Sequence, residues 1–221
     1  MKEDNNFCTI YLIRYGEAEG NVKEIMMGHL DLPLTEKGKI QVRDVSQRLK
    51  HVHFDFVYSS DLVRAKQTAE LIAQERNLAV QTSKLLRERS YGIHEGKSRA
   101  EYTAKARAFW EELNKLSEEA RKNAQYPDGI ESDASLASRM ITFLREIAVA
   151  NPGKTVLVVA HGAIIRNFLI HVGFAKREEL PMFRSLENGA FIKLMSDGID
   201  FIVKETAGVN KETKNTEKSG E

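Results

Sequence analysis

Three groups in this chain stand where reactive side chains would be useful. Arg14 and Tyr15 follow the apolar run 9–13 (Thr-Ile-Tyr-Leu-Ile), Arg64 lies one helical turn beyond 54–58 (Phe-Asp-Phe-Val-Tyr), and His161 follows 155–160 (Thr-Val-Leu-Val-Val-Ala). Each precedes a stretch that predicts a helix N-terminus, whose unpaired backbone N–H groups favour anions. Two guanidiniums, an imidazole and several helix N-termini converging on one crevice would trap a small phosphate. That convergence requires the strands carrying them to be neighbours in one sheet, since ligands of open α/β sheets gather outside the carboxyl ends of the strands.

The elements that must do this positioning read from periodicity. The runs 9–13, 54–58 and 155–160 predict buried strands. Thr35 precedes a helical stripe of Val42, Val45, Leu49 and Val52, and Ser59-Ser60-Asp61 offers N-caps for a helix with Leu62, Ala65, Ala69 and Ile72 on one face. An apolar helix follows His161-Gly162 to about Val172. Two longer stripes predict mid-chain helices, one through Tyr102, Ala106, Phe109, Leu113, Leu116 and Ala120, the other through Leu136, Met140, Phe143, Ile147 and Ala150. Segments 190–195 and 199–203 predict a closing hairpin around Ser196-Asp197-Gly198. The alternation implies a three-layer α/β sandwich, a mostly parallel sheet with helices on both faces. Residues 1–207 are expected to form one domain. Residues 208–221, with one apolar residue, are expected to be a disordered tail.

Composition narrows the function. Lys and Arg total 33 against 32 Asp and Glu, so no basic excess points to nucleic acid or an anionic membrane. The single cysteine, Cys8, cannot form an intrachain disulfide, the polar start MKEDNNF is unlike a signal peptide, and no apolar run would span a membrane. A cytoplasmic protein is expected, with its oligomeric state left open. His51 and His53 lack companions at metal-ligand spacing. Gly92–Ser98 is one residue short of a P-loop, and neither a GxSxG elbow nor a GxGxxG fingerprint occurs. No metal or other cofactor is expected.

The ordered motifs are familiar. Leu12-Ile13-Arg14-Tyr15-Gly16-Glu17 with Asn21, then Gly28–Thr35, Ser59–Thr68, Leu86–Arg89 with Tyr91-Gly92 and Glu95-Gly96-Lys97, Asp128–Ser132, and Val159-Ala160-His161-Gly162 resemble the histidine phosphatase (phosphoglycerate-mutase-like) superfamily over roughly residues 9–195. The run from Leu86 to Lys97 looks closest to its fructose-2,6-bisphosphatase-like branch. The resemblance implies a helical insert over about 97–131 and metal-independent phosphoryl transfer through a phosphohistidine. It implies that Arg14 and Arg64, helped by Asn21, hold the phosphoryl oxygens. His161 would stabilise the transferring charge, and Glu88 would act as acid and base, with Glu95 the next carboxylate to consider. The ligand implied is a small phosphorylated metabolite, such as a phosphosugar. Ile130 stands where relatives often have glycine, close to the expected entrance.

The nucleophilic histidine of that family falls on Tyr15. A phenol keeps its proton at neutral pH and is a poor nucleophile, and its longer ring reaches into space that a phosphoryl group should fill. Three readings follow: a phosphatase pocket severely impaired at one position, a naturally inactive member that binds phosphorylated ligands or partners, and a phosphoglycerate mutase.

Overall fold

The structure, a computed structural model, describes residues 6–122 and 124–212. In chain order the elements are β1 (Cys8–Arg14), α1 (Glu19–Val22), α2 (Glu36–Arg48), β2 (Phe56–Ser60), α3 (Val63–Gln74), β3 (Val80–Ser83), α4 (Arg99–Lys115), α5 (Glu118–Lys122), α6 (Asp133–Ala150), β4 (Thr155–Ala160), α7 (Gly162–His171), β5 (Leu186–Ser196) and β6 (Phe201–Val209). The six strands form one sheet in the order β3-β2-β4-β1-β5-β6. The first four in that order run parallel, and β5 and β6 add an antiparallel edge.

The period of two along each strand separates two cores. Ile10 and Leu12 of β1 with Val156 and Val158 of β4 pack against Leu136, Met140 and Leu144 of α6 and Ile164 and Phe168 of α7. Tyr11, Ile13, Leu157 and Val159 face the other way, onto Val42 and Val45 of α2 and Ala65, Ala69 and Ile72 of α3. The expected sandwich is therefore the observed one. Register places Arg14 opposite Ala160, so Arg14-Tyr15 and His161 leave adjacent strands side by side.

Several local readings change. Ser59 and Ser60 belong to β2, and α3 opens instead on Val63, whose N–H donates to Asp31 Oδ1 at 2.6 Å. A carboxylate 32 residues upstream thus supplies the cap. The first mid-chain stripe breaks: Leu116 is extended (ψ 146°) and ends α4, which leaves Leu116 and Ala120 exposed while Tyr102, Ala106 and Leu113 are buried. β3, which sequence periodicity did not predict, is a polar edge strand. The hairpin is longer than expected, since β6 continues through Gly208 and Val209. Beyond it Asn210 N donates to Ser185 O and Glu212 N to Glu179 O, both at 2.8 Å. The chain is thus ordered past 208, and the remainder of the expected tail, 213–221, lies outside the described residues.

Candidate functional site

Backbone placement builds the site first. Tyr15 N donates to Ala160 O at 3.2 Å, tying the exit of β1 to the exit of β4, and Asn188 Nδ2 and Gly189 N both donate to Tyr15 O, at 3.1 and 3.3 Å. Gly16 accepts no larger residue, because a Cβ there would lie 2.5 Å from Gly38 O. Asn188 was invisible to sequence reasoning, since nothing in Leu-Glu-Asn-Gly distinguishes it from an ordinary turn residue.

Arg64 is wholly buried near the start of α3 and donates only to backbone carbonyls, from Nη1 to Leu30 O (2.7 Å) and from Nη2 to Gly28 O (2.8 Å). Arg14 Nη1 donates to Leu186 O. Among the described residues neither guanidinium has a carboxylate partner. Asn21 stands nearby, with its Oδ1 accepting from Ala18 N at 2.9 Å and facing Asn188 Nδ2 at 3.5 Å.

Tyr15 fills the space these groups share. Its side chain is 2% exposed, the Arg64 and Arg14 guanidiniums lie 5.1 and 5.5 Å from its ring centroid, and the His161 ring centroid is 5.2 Å away. Around it four buried nitrogens have no hydrogen-bond partner among the described residues: Arg14 Nε, Arg64 Nε, and His161 Nδ1 and Nε2. Burial, and then the charges of Arg64, Arg139 and Arg14, hold the His161 pKa well below the usual histidine range, so its ring is neutral. Buried polar groups are nearly always paired, so the two unpaired arginine nitrogens and the unpaired imidazole mark a seat where a hydrogen-bonding anion would be matched.

Glu88 lies at the N-terminus of α7. Its Oε1 accepts from Arg89 N (2.9 Å), Ala163 N (3.1 Å) and Ile164 N (3.2 Å), while Oε2 takes only Ala163 N at 3.2 Å. Oε1 thus takes three backbone N–H groups and Oε2 shares one of them. Arg14, Tyr15, Asn21, Arg64 and Glu88 all line one cavity of about 80 Å³, with His161 buried beneath Tyr15. Glu95 does not line this cavity; its Oε1 accepts from Tyr91 N at 3.0 Å. Ile130 is not at the entrance. It is buried with Met26, Tyr91, Tyr102 and Ala106 in a small core beneath α4. A wider groove of about 1700 Å³ runs between α4, α6 and the 173–184 segment, and none of Arg14, Tyr15, Arg64, Glu88 or His161 lines it. Among the described residues no cluster of His, Cys, Asp and Glu could hold a metal ion, and no helix is long and apolar enough to cross a membrane.

The sequence profile of the histidine phosphatase superfamily (branch 1) matches residues 10–206. Phosphoglycerate mutase-like protein 4 of Arabidopsis thaliana is 36% identical over 174 residues, covering 75% of this chain and 71% of its own. A broad-specificity phosphatase of Saccharomyces cerevisiae is 30% identical over 209 residues, covering 91% and 86%. The crystal structure of a phosphoglycerate mutase from Bacillus anthracis superposes with a TM-score of 0.78 at 28% identity, covering 95% of this chain and 96% of that one. The chain belongs to the histidine phosphatase superfamily.

Proposed function

We propose that this chain carries a phosphomonoesterase site for a small phosphorylated metabolite, complete except at the nucleophile, and that Tyr15 makes its turnover severely impaired. The observation that carries the reading is the set of four unpaired buried nitrogens around the Tyr15 ring, with Glu88 on the same cavity. With histidine at position 15, an imidazole nitrogen attacks phosphorus as the ester P–O bond breaks. The guanidiniums and His161 hold the oxygens in the water-poor pocket, where fixed donors act most strongly. Glu88 Oε2 gives its proton to the leaving oxygen, then takes one from the water that cleaves the phosphohistidine and releases phosphate.

A phenol in this position offers no lone-pair nitrogen and crowds the seat. The same crowding weighs against an inactive protein that binds phosphorylated ligands, because such a binder needs Arg14 and Arg64 open, and Tyr15 lies against both. The test is a parallel assay of this chain and Tyr15→His against phosphosugars, phosphoglycerates and phosphoamino acids. Turnover is expected to rise at least ~10³-fold in Tyr15→His, on the scale of losses when one member of a catalytic unit is missing, and to fall again when Glu88→Gln is added. Equal, negligible turnover in both chains would refute the reading, and a bisphosphate requirement would redirect it to a mutase.

A further inference from the structure

We propose that the leaving-group side of this pocket takes an organic group with an apolar face, as in an aryl or arylalkyl phosphomonoester, and that Phe183 is its specificity-determining residue. The inference rests on the phosphatase reading of the site and names the class of its small phosphorylated substrate.

Beyond the phosphoryl seat the cavity is walled by Ile25, Met26, Met27, Tyr91, Met182 and Phe183. Met26, Met27 and Tyr91 are buried, whereas Phe183 is 41% exposed at the rim. Thioethers and aromatic faces present adaptable apolar surface and few hydrogen-bonding groups. A polyol would need several fixed polar partners in such a site. The polar groups on this side are Asn21, whose Oδ1 already accepts from Ala18 N, Ser185, and the guanidiniums of Arg89, Arg99 and Arg166.

Two of these three cations are held by acceptors within the fold, and the third stacks on Phe183. Arg89 donates to Glu131 O at 2.7 Å and to Asp133 Oδ1 at 2.5 Å, and Arg166 donates to Leu180 O at 2.5 Å and Arg177 O at 3.3 Å. The Arg99 guanidinium lies 5.3 Å from the Phe183 ring centroid. The rim segment is therefore pinned at both ends by arginines, Arg166 at Leu180 and Arg14 at Leu186.

Phe183 has a φ of +82°, a left-handed conformation that an aromatic residue adopts only at a cost in strain. The strain places its ring against Arg99 and edge-on to Tyr102, with ring centroids 6.4 Å apart. There the ring narrows the mouth next to the phosphoryl seat and can stack on a planar leaving group.

The experiment measures binding, so differences in leaving-group reactivity do not enter. Benzylphosphonate and a polyol phosphonate of similar size are titrated calorimetrically into the Tyr15→His protein, with inorganic phosphate as reference. Benzylphosphonate is expected to bind about tenfold tighter than the polyol, as one good apolar contact surface allows. Phe183→Ala is expected to remove that ratio, and Phe183→Leu to keep part of it. A polyol preference, a ratio unmoved in a folded Phe183→Ala protein, or no binding of any of the three ligands overturns the inference. So does a stronger preference for a carboxylate-bearing phosphonate, which would assign that side to Arg99 and Arg166. If Tyr15→His binds benzylphosphonate selectively yet turns over nothing, the phosphatase reading fails while the apolar wall stands.

Discussion

Two sets of buried and half-buried arginines lie within one molecule and are treated in opposite ways. Arg89 and Arg177 share Asp133, and Arg139 forks onto both oxygens of Glu131 at 2.7 and 2.9 Å. Arg14 and Arg64 receive only backbone carbonyls, and each keeps an unpaired Nε. A buried cation is costly unless it is paired. The first set is paired within the fold and holds α6 and the 126–133 loop against the segment 85–90. The second has no carboxylate partner among the described residues, and in this chain the face of the Tyr15 ring is a partial substitute.

This contrast can be broken by mutation, and the largest effect belongs to the paired set. Asp133→Ala strands two guanidiniums and is expected to cost about 3–5 kcal/mol of folding stability. Arg64→Met removes a cation that has no carboxylate to strand, so chemical denaturation should show a loss of only about 1–2 kcal/mol, from its two carbonyl bonds. Equal losses in the two variants would erase the distinction.

The acid limb of stability is the next largest effect. Burial raises the Asp133 pKa, but the opposing pull of Arg89 and then Arg177 wins and lowers it to about 2. Because the folded value lies below the unfolded one, this contribution is fully present above about pH 4. It is lost as pH falls towards 2, amounting to about 2 kcal/mol. Stability measured across that window should slope steeply in this chain and less so in Asp133→Asn. An unchanged slope would show that the pair contributes nothing through its charge.

The smallest effect sharpens the comparison from the other side. Tyr15→His surrenders ring contacts with two guanidiniums and should be less stable by about 1–2 kcal/mol, even as it gains turnover. A more stable Tyr15→His protein would mean that the ring does not relieve the unpaired cations.

The sequence made one of these sets legible and hid the other. Arg14, Arg64 and His161 follow apolar strands, and strand ends in α/β sheets are where ligands collect, so their meeting could be inferred before any contact was seen. Glu88 came only through likeness to a family, because locally it sits in an arginine-flanked charge run. The Arg89–Asp133 pair spans 44 residues and the Asp31 cap of α3 spans 32, separations at which no periodicity carries a signal. β3 escaped because Val80–Ser83 is a polar edge strand, and α4 stopped short of its stripe because Leu116 turns extended ahead of Ser117. Gly208–Glu212 looked like tail because hydropathy does not record backbone bonds to Ser185 and Glu179.

The most direct measurement of the central claim is a search for the covalent intermediate. Tyr15→His and the unaltered chain are quenched with acid or base after brief mixing with substrate, and intact mass and peptide mapping follow. An acid-labile, base-stable phosphoryl group on residue 15 of Tyr15→His, and none on the unaltered chain, is the predicted result. Rapid turnover with no adduct, or a stable phosphoryl group on Tyr15 itself, would contradict the claim that one side chain silences an otherwise complete site.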